Sequence, residues 1–97
     1  MESLRFTSPF ASGNFTFGAG FRAGFELSGK GYSLLVTDEL LEEISTAPRA
    51  QTLVDFSHAL LLTAEGKVDA GYAEPGDEKP YVILRASDAD RVRKHAQ

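Results

Sequence analysis

The chain has 97 residues, a formal net charge of −4 and no cysteine. That length suits a single domain over 1–97 with a modest core, and the missing thiols exclude disulfides, thiol catalysis and cysteine-based zinc sites. Acids dominate the middle, where Asp38–Glu78 holds ten acids against two bases, while the flanks hold four against eight. A net acidic chain has no general attraction for a nucleic-acid backbone.

Seven Phe and three Tyr within a 42% hydrophobic share weigh against disorder. The opening Met1-Glu2-Ser3-Leu4-Arg5 lacks the apolar core of an export leader. The longest aliphatic run, Ala59 to Leu62, is too short to span a bilayer. The expected setting is the cytoplasm, in soluble form and away from membranes.

Leu4-Arg5-Phe6 reads as a short first strand, and Ser8-Pro9 and Ser12-Gly13-Asn14 as turns around Phe10. From Phe15 to Leu27 the chain alternates without a break. Phe15, Phe17, Ala19, Phe21, Ala23, Phe25 and Leu27 fall on one face of a strand, with Thr16, Gly18, Gly20, Arg22, Gly24 and Glu26 on the other. A strand over about 14–28 exceeds the usual length, so it is expected to bend, bulge or divide at its glycines. Gly29-Lys30 suits a two-residue hairpin loop. That register places Leu27 opposite Tyr32, Phe25 opposite Leu34 and Ala23 opposite Val36, with the partner strand at about 32–36.

Thr37 suits an N-cap, and Asp38 and Glu39 complement a helix dipole. Leu40, Leu41 and Ile44 form the apolar stripe of a helix ending near Thr46, ahead of Pro48. Ala50, Leu53, Val54, Ser57, Leu60, Leu61 and Ala64 continue a helical stripe that Gly66 would stop, although 60–72 also reads as a β-hairpin. The helix is preferred through about Leu61. Glu74–Pro80 is a loop, and Tyr81-Val82-Ile83-Leu84 opens a late strand at about 81–85 with the continuous apolarity of one buried on both faces. Ser87-Asp88-Ala89-Asp90 resembles a capping box before a short C-terminal helix. The expected fold is α+β: an antiparallel sheet opened by an N-terminal hairpin, with helices on one face.

No constellation of catalytic residues assembles. Gly18-x-Gly20-x-x-x-Gly24 misses the dinucleotide spacing by one residue and is followed by no helix, so strand curvature is its simpler use. Asp55 and His58 could share a helical face, but Ser57 sits beside His58 and cannot reach its far nitrogen as a triad requires. Glu42-Glu43, Asp77-Glu78 and Asp88/Asp90 are acid pairs without a metal-loop pattern, and no cofactor or metal is expected. Asn14-Phe15-Thr16 matches a glycosylation sequon, which has no use in the cytoplasm. Arg91, Arg93, Lys94 and His95 suit a helix C-terminus on dipole grounds, without the interleaved aromatics of a single-strand binder.

By elimination the sequence is read as a non-enzymatic protein-interaction module: an adaptor, inhibitor or assembly factor, with homodimerisation expected. Its partner contacts would run through an exposed strand edge, with Arg22 and Glu26 beside it, or through the acidic middle at Glu42 and Glu43. The alternative is a small enzyme or small-molecule binder with a pocket near Tyr32, His58 and Tyr72. A weak nucleic-acid contact through the basic C-terminal helix is the third reading.

Overall fold

The structure is a computed structural model that describes residues 3–97. Met1 and Glu2, which head the segment read for an export leader, lie outside the described residues. The fold is α+β. Strands β1 (Leu4–Phe15), β2 (Gly18–Leu27) and β3 (Lys30–Thr37) come first, followed by helices α1 (Asp38–Ile44), α2 (Arg49–Asp55) and α3 (Ser57–Asp69). Strand β4 (Tyr81–Leu84), a 3₁₀ turn at Ala86–Asp88 and helix α4 (Ala89–Ala96) complete the chain. Spatial order in the four-stranded sheet is β1-β2-β3-β4. The first two pairings are antiparallel, whereas β3 and β4 run parallel, so the sheet is mixed rather than purely antiparallel. Three helices intervene between β3 and β4, supplying the long crossover that a parallel pair requires.

The alternating run is divided by a turn at Thr16-Phe17, with Phe15 paired to Gly18. Neither turn residue has a positive φ, but Gly18 does, at 113°, as in a turn closed by a left-handed glycine. The reversal moves Phe15 out of the stripe assigned from the sequence. Strand β1 is far longer than Leu4–Phe6, because Ser8-Pro9 and Ser12–Asn14 form irregular strand with register shifts between Phe6 and Ala11 instead of turns. Gly24 N–H donates to Ser8 Oγ at 2.7 Å inside this irregular stretch, so a side-chain oxygen takes the place of a ladder carbonyl.

The second hairpin turns at Ser28-Gly29, not at Gly29-Lys30. Both residues have positive φ, 53° and 85°, as a type I′ loop requires. Phe25 consequently faces Tyr32, Ala23 faces Leu34 and Phe21 faces Val36. The register differs from expectation by two residues, so each side chain keeps its face. The rings of Phe25 and Tyr32 stack at 5.2 Å between centroids.

The core lies between one sheet face and the helices. Phe25, Leu34, Val36, Val82 and Leu84 meet Leu40, Leu41, Leu60, Ala64 and Val92, all essentially without exposure. Thr37 caps α1 as expected, accepting the Leu40 N–H at 3.2 Å. Helix continues well past Leu61, so the 60–72 hairpin is not formed. Gly66 sits within α3, whose true stop is Gly71 at φ 85°. There Tyr72 N–H bonds Lys67 C=O and Gly71 N–H bonds Val68 C=O, the paired bonds of a Schellman motif. Only alternate residues of β4 are buried, Val82 and Leu84, with Tyr81 and Ile83 half-buried on the opposite face. Its continuous apolarity belongs to an edge strand, not to one buried on both faces. Ser87 is not the cap of the last helix. Asp88 takes that corner, its Oδ2 accepting the Arg85 N–H at 2.9 Å.

Candidate functional site

The two sheet edges differ in chemistry. Alternate residues of a strand turn their N–H and C=O groups to opposite sides. Pro80 C=O accepts the Ser33 N–H, so Tyr81, Ile83 and Arg85 direct their backbone groups away from β3. Tyr81 exchanges both bonds with Glu74. Ile83 C=O receives Lys67 Nζ at 2.9 Å. Arg85 N–H is held by Asp88 Oδ2, and Arg85 C=O accepts the Asp88 N–H. Of these outward groups only the Ile83 N–H has no partner among the described residues, so the chain's own groups close most of the β4 edge. Strand β2 is flanked on both sides, so the exposed edge assigned to it belongs instead to β1. Along that outer edge Pro9 and the register shifts interrupt the middle, as natural edges do to limit pairing, and regular strand remains at Ala11–Phe15.

A groove of about 700 Å³ opens beside the irregular part of β1. Phe6, Pro9, Phe10 and Phe21 form one wall, and Ala50, Leu53 and Val54 of α2 the other. Phe6 and Phe10 meet edge to face at 5.5 Å. Val54 is 68% exposed, an unusual state for a large aliphatic at the mouth of an apolar groove.

The helix-free face of the sheet holds a second hollow, a trough of about 600 Å³. Phe15, Arg22, Ser33, Leu35 and Tyr81 form its floor, and the Pro75–Lys79 loop forms its side. A neighbouring hollow shares Arg22, Ser33 and Lys79 and extends to Ser8 and Gly24.

Of the residues singled out from sequence, Arg22 and Glu26 share this helix-free face, whereas Glu42 and Glu43 lie on α1 in the helical layer. Glu26 pairs with Arg5 at 3.5 Å, Glu42 with Arg49 at 3.0 Å and Glu43 with Arg93 at 3.5 Å. Arg22 makes no ion pair among the described residues. Tyr32 is buried under the helices, while His58 and Tyr72 are exposed, and none of the three lines the hollows described above. Asp55 accepts from Gln51 at 2.7 Å. In the basic C-terminal helix, Arg91 and Arg93 are engaged by Asp88, Asp90 and Glu43.

Sequence reasoning passed over Val54 and Phe10 of the groove, and Lys79, Tyr81 and Phe15 of the trough. Val54 could have been found from its place at the margin of the α2 stripe. Lys79 carries no such signal, because its position depends on how the loop folds back over the sheet. No family model, curated protein or solved structure matches this chain. The site's chemistry therefore has to be read from its own residues.

Proposed function

We propose that the chain is a non-enzymatic protein-interaction module that receives an extended segment of a partner along the outer edge of β1. The observation carrying this reading is the asymmetry of the edges: Glu74, Lys67 and Asp88 cover all but the Ile83 N–H of the outward groups of β4, while β1 keeps an unpaired side among the described residues, next to an apolar groove. An added strand would gain main-chain hydrogen bonds at Ala11–Phe15, and its apolar side chains would enter the groove between Phe10 and Val54. A second copy of the chain is one such partner, and a small core gains stability from the added burial.

The test combines light scattering across a concentration series with affinity capture from the source cells, repeated with two variants. Val54→Glu charges the groove mouth at an exposed site, and Ser12→Pro removes an outward N–H at the edge. The reading expects a self-association or an identified partner that both variants abolish while their circular dichroism is unchanged. Monomeric behaviour with no specific partner, or binding indifferent to both variants, overturns it.

A further inference from the structure

Gly24 lies at a convergence of polar atoms on the helix-free face. A Cβ built there would stand 2.7 Å from Thr7 Oγ1, 2.9 Å from Ser8 Oγ and 3.4 Å from Lys79 Nζ. The same construction at Gly31 meets Lys79 Cδ at 3.9 Å. Gly24 pairs with Ser33, and Gly31 with Glu26, so the two glycines are diagonal neighbours. They leave a furrow in which the Lys79 stem lies across the sheet. The space left by the two missing Cβ atoms is therefore bordered by this chain's own lysine.

Among the described residues, the ammonium at the end of that furrow has no carboxylate within ion-pair distance, and neither has the guanidinium of Arg22, the next residue on the same face of β2. Ser8 Oγ already accepts the Gly24 N–H, which leaves its own hydrogen free to donate. Two cations and a set of hydroxyl donors thus face one spot on a protein whose net charge is −4. Asp77 and Glu78 also border the trough, from the loop, without pairing to either cation. The floor beyond Arg22 is apolar, formed by Phe15, Leu35 and Tyr81.

We propose that this face is a binding site for a small oxyanion, carboxylate or phosphate, attached to an apolar or aromatic body. Arg22 and Lys79 hold the anion beside the hydroxyls of Ser8 and Ser33, and the body lies between Phe15 and Tyr81. Charge-assisted hydrogen bonds supply the recognition of the anion, and the rings supply contact area. This inference is independent of the strand edge, which lies in the plane of the sheet rather than on its face.

Titration of the full ¹⁵N-labelled chain with phenyl phosphate, benzoate and benzyl alcohol tests it. Phenyl phosphate, benzoate or both should shift the amides of Arg22, Gly24, Ser33 and Lys79 saturably, with Kd on the order of 1 mM for so small a probe. A response to phenyl phosphate alone assigns a phosphate ligand, to benzoate alone a carboxylate, and to both an oxyanion of either kind. Arg22→Gln and Lys79→Gln should each weaken binding roughly tenfold, with unchanged melting temperatures. The proposal fails if neither anion gives saturable shifts, if benzyl alcohol reproduces them, if they centre on Arg91–His95, or if the Arg22→Gln/Lys79→Gln double variant responds like the parent chain.

Discussion

Lys67 of α3 reaches Asp88 at 2.9 Å, and this contact joins the crossover helix to the turn after β4. Both side chains are largely buried, and each makes further bonds, Lys67 to Ile83 C=O and Asp88 to Arg85 N–H. A buried charge that loses its partner is costly. Asp88→Ala should therefore lower stability by about 3–5 kcal/mol in urea unfolding. Lys67→Met should cost less, about 1–3 kcal/mol, since Asp88 keeps the Arg85 N–H. It should also raise light scattering, because Ile83 C=O is then open on the β4 edge. Strict additivity in a Lys67→Met/Asp88→Ala cycle would show that the two residues do not act as a pair.

Two glycines give a prediction of opposite sign. Gly66 lies inside α3, and a Cβ there meets nothing within 4 Å. Gly66→Ala should stabilise the protein by roughly 0.5–1 kcal/mol. Gly20 is buried, and its Cβ would collide with Val36 C=O and press on the Phe17 ring. Gly20→Ala should destabilise by about 1–3 kcal/mol. Thermal melts of both variants compare the two signs directly.

Ser28 sits at φ 53° in the first central position of the second hairpin. Left-handed backbone penalises an ordinary L-residue and suits asparagine better. Ser28→Asn should raise the melting temperature by a few degrees, on the order of 0.5 kcal/mol. A lowered melting temperature would refute the type I′ assignment.

Arg93 offers a contrast with Lys67. It touches Asp90 at 3.2 Å and Glu43 at 3.5 Å, but all three side chains are well exposed. Exposed pairs contribute little, so Arg93→Ala should change stability by less than about 1 kcal/mol, and that change should shrink in high salt.

The fold class, the Thr37 cap, the Glu74–Pro80 loop and the late strand were legible because each rests on local chemistry. The shared face of Ala23, Phe25, Leu27, Tyr32, Leu34 and Val36 was also legible, since a period of two survives a register shift of two. The turn at Thr16-Phe17 was not. Neither residue is a turn former, and uninterrupted alternation concealed the reversal that carries Phe15 to the other face. The parallel pairing of β4 escaped for a different reason: apolar content does not encode strand direction. At the candidate sites, Arg22 was visible as a charge on the glycine face. Its neighbours Lys79 and Tyr81 come from distant sequence, and only the loop's path brings them near.

The pairing of β3 with β4 joins segments nearly half the chain apart, across all three crossover helices. The antiparallel strands are local and can form early, whereas closing so long a loop is slow. Until α3 delivers Lys67 and β4 docks, Leu34 and Val36 border an unprotected strand edge. During synthesis from the N-terminus, that interval lasts until the C-terminal segment has emerged. The hazard for this protein therefore lies in the timing of its own completion, and truncation before β4 would leave an aggregation-prone sheet rather than a smaller stable one.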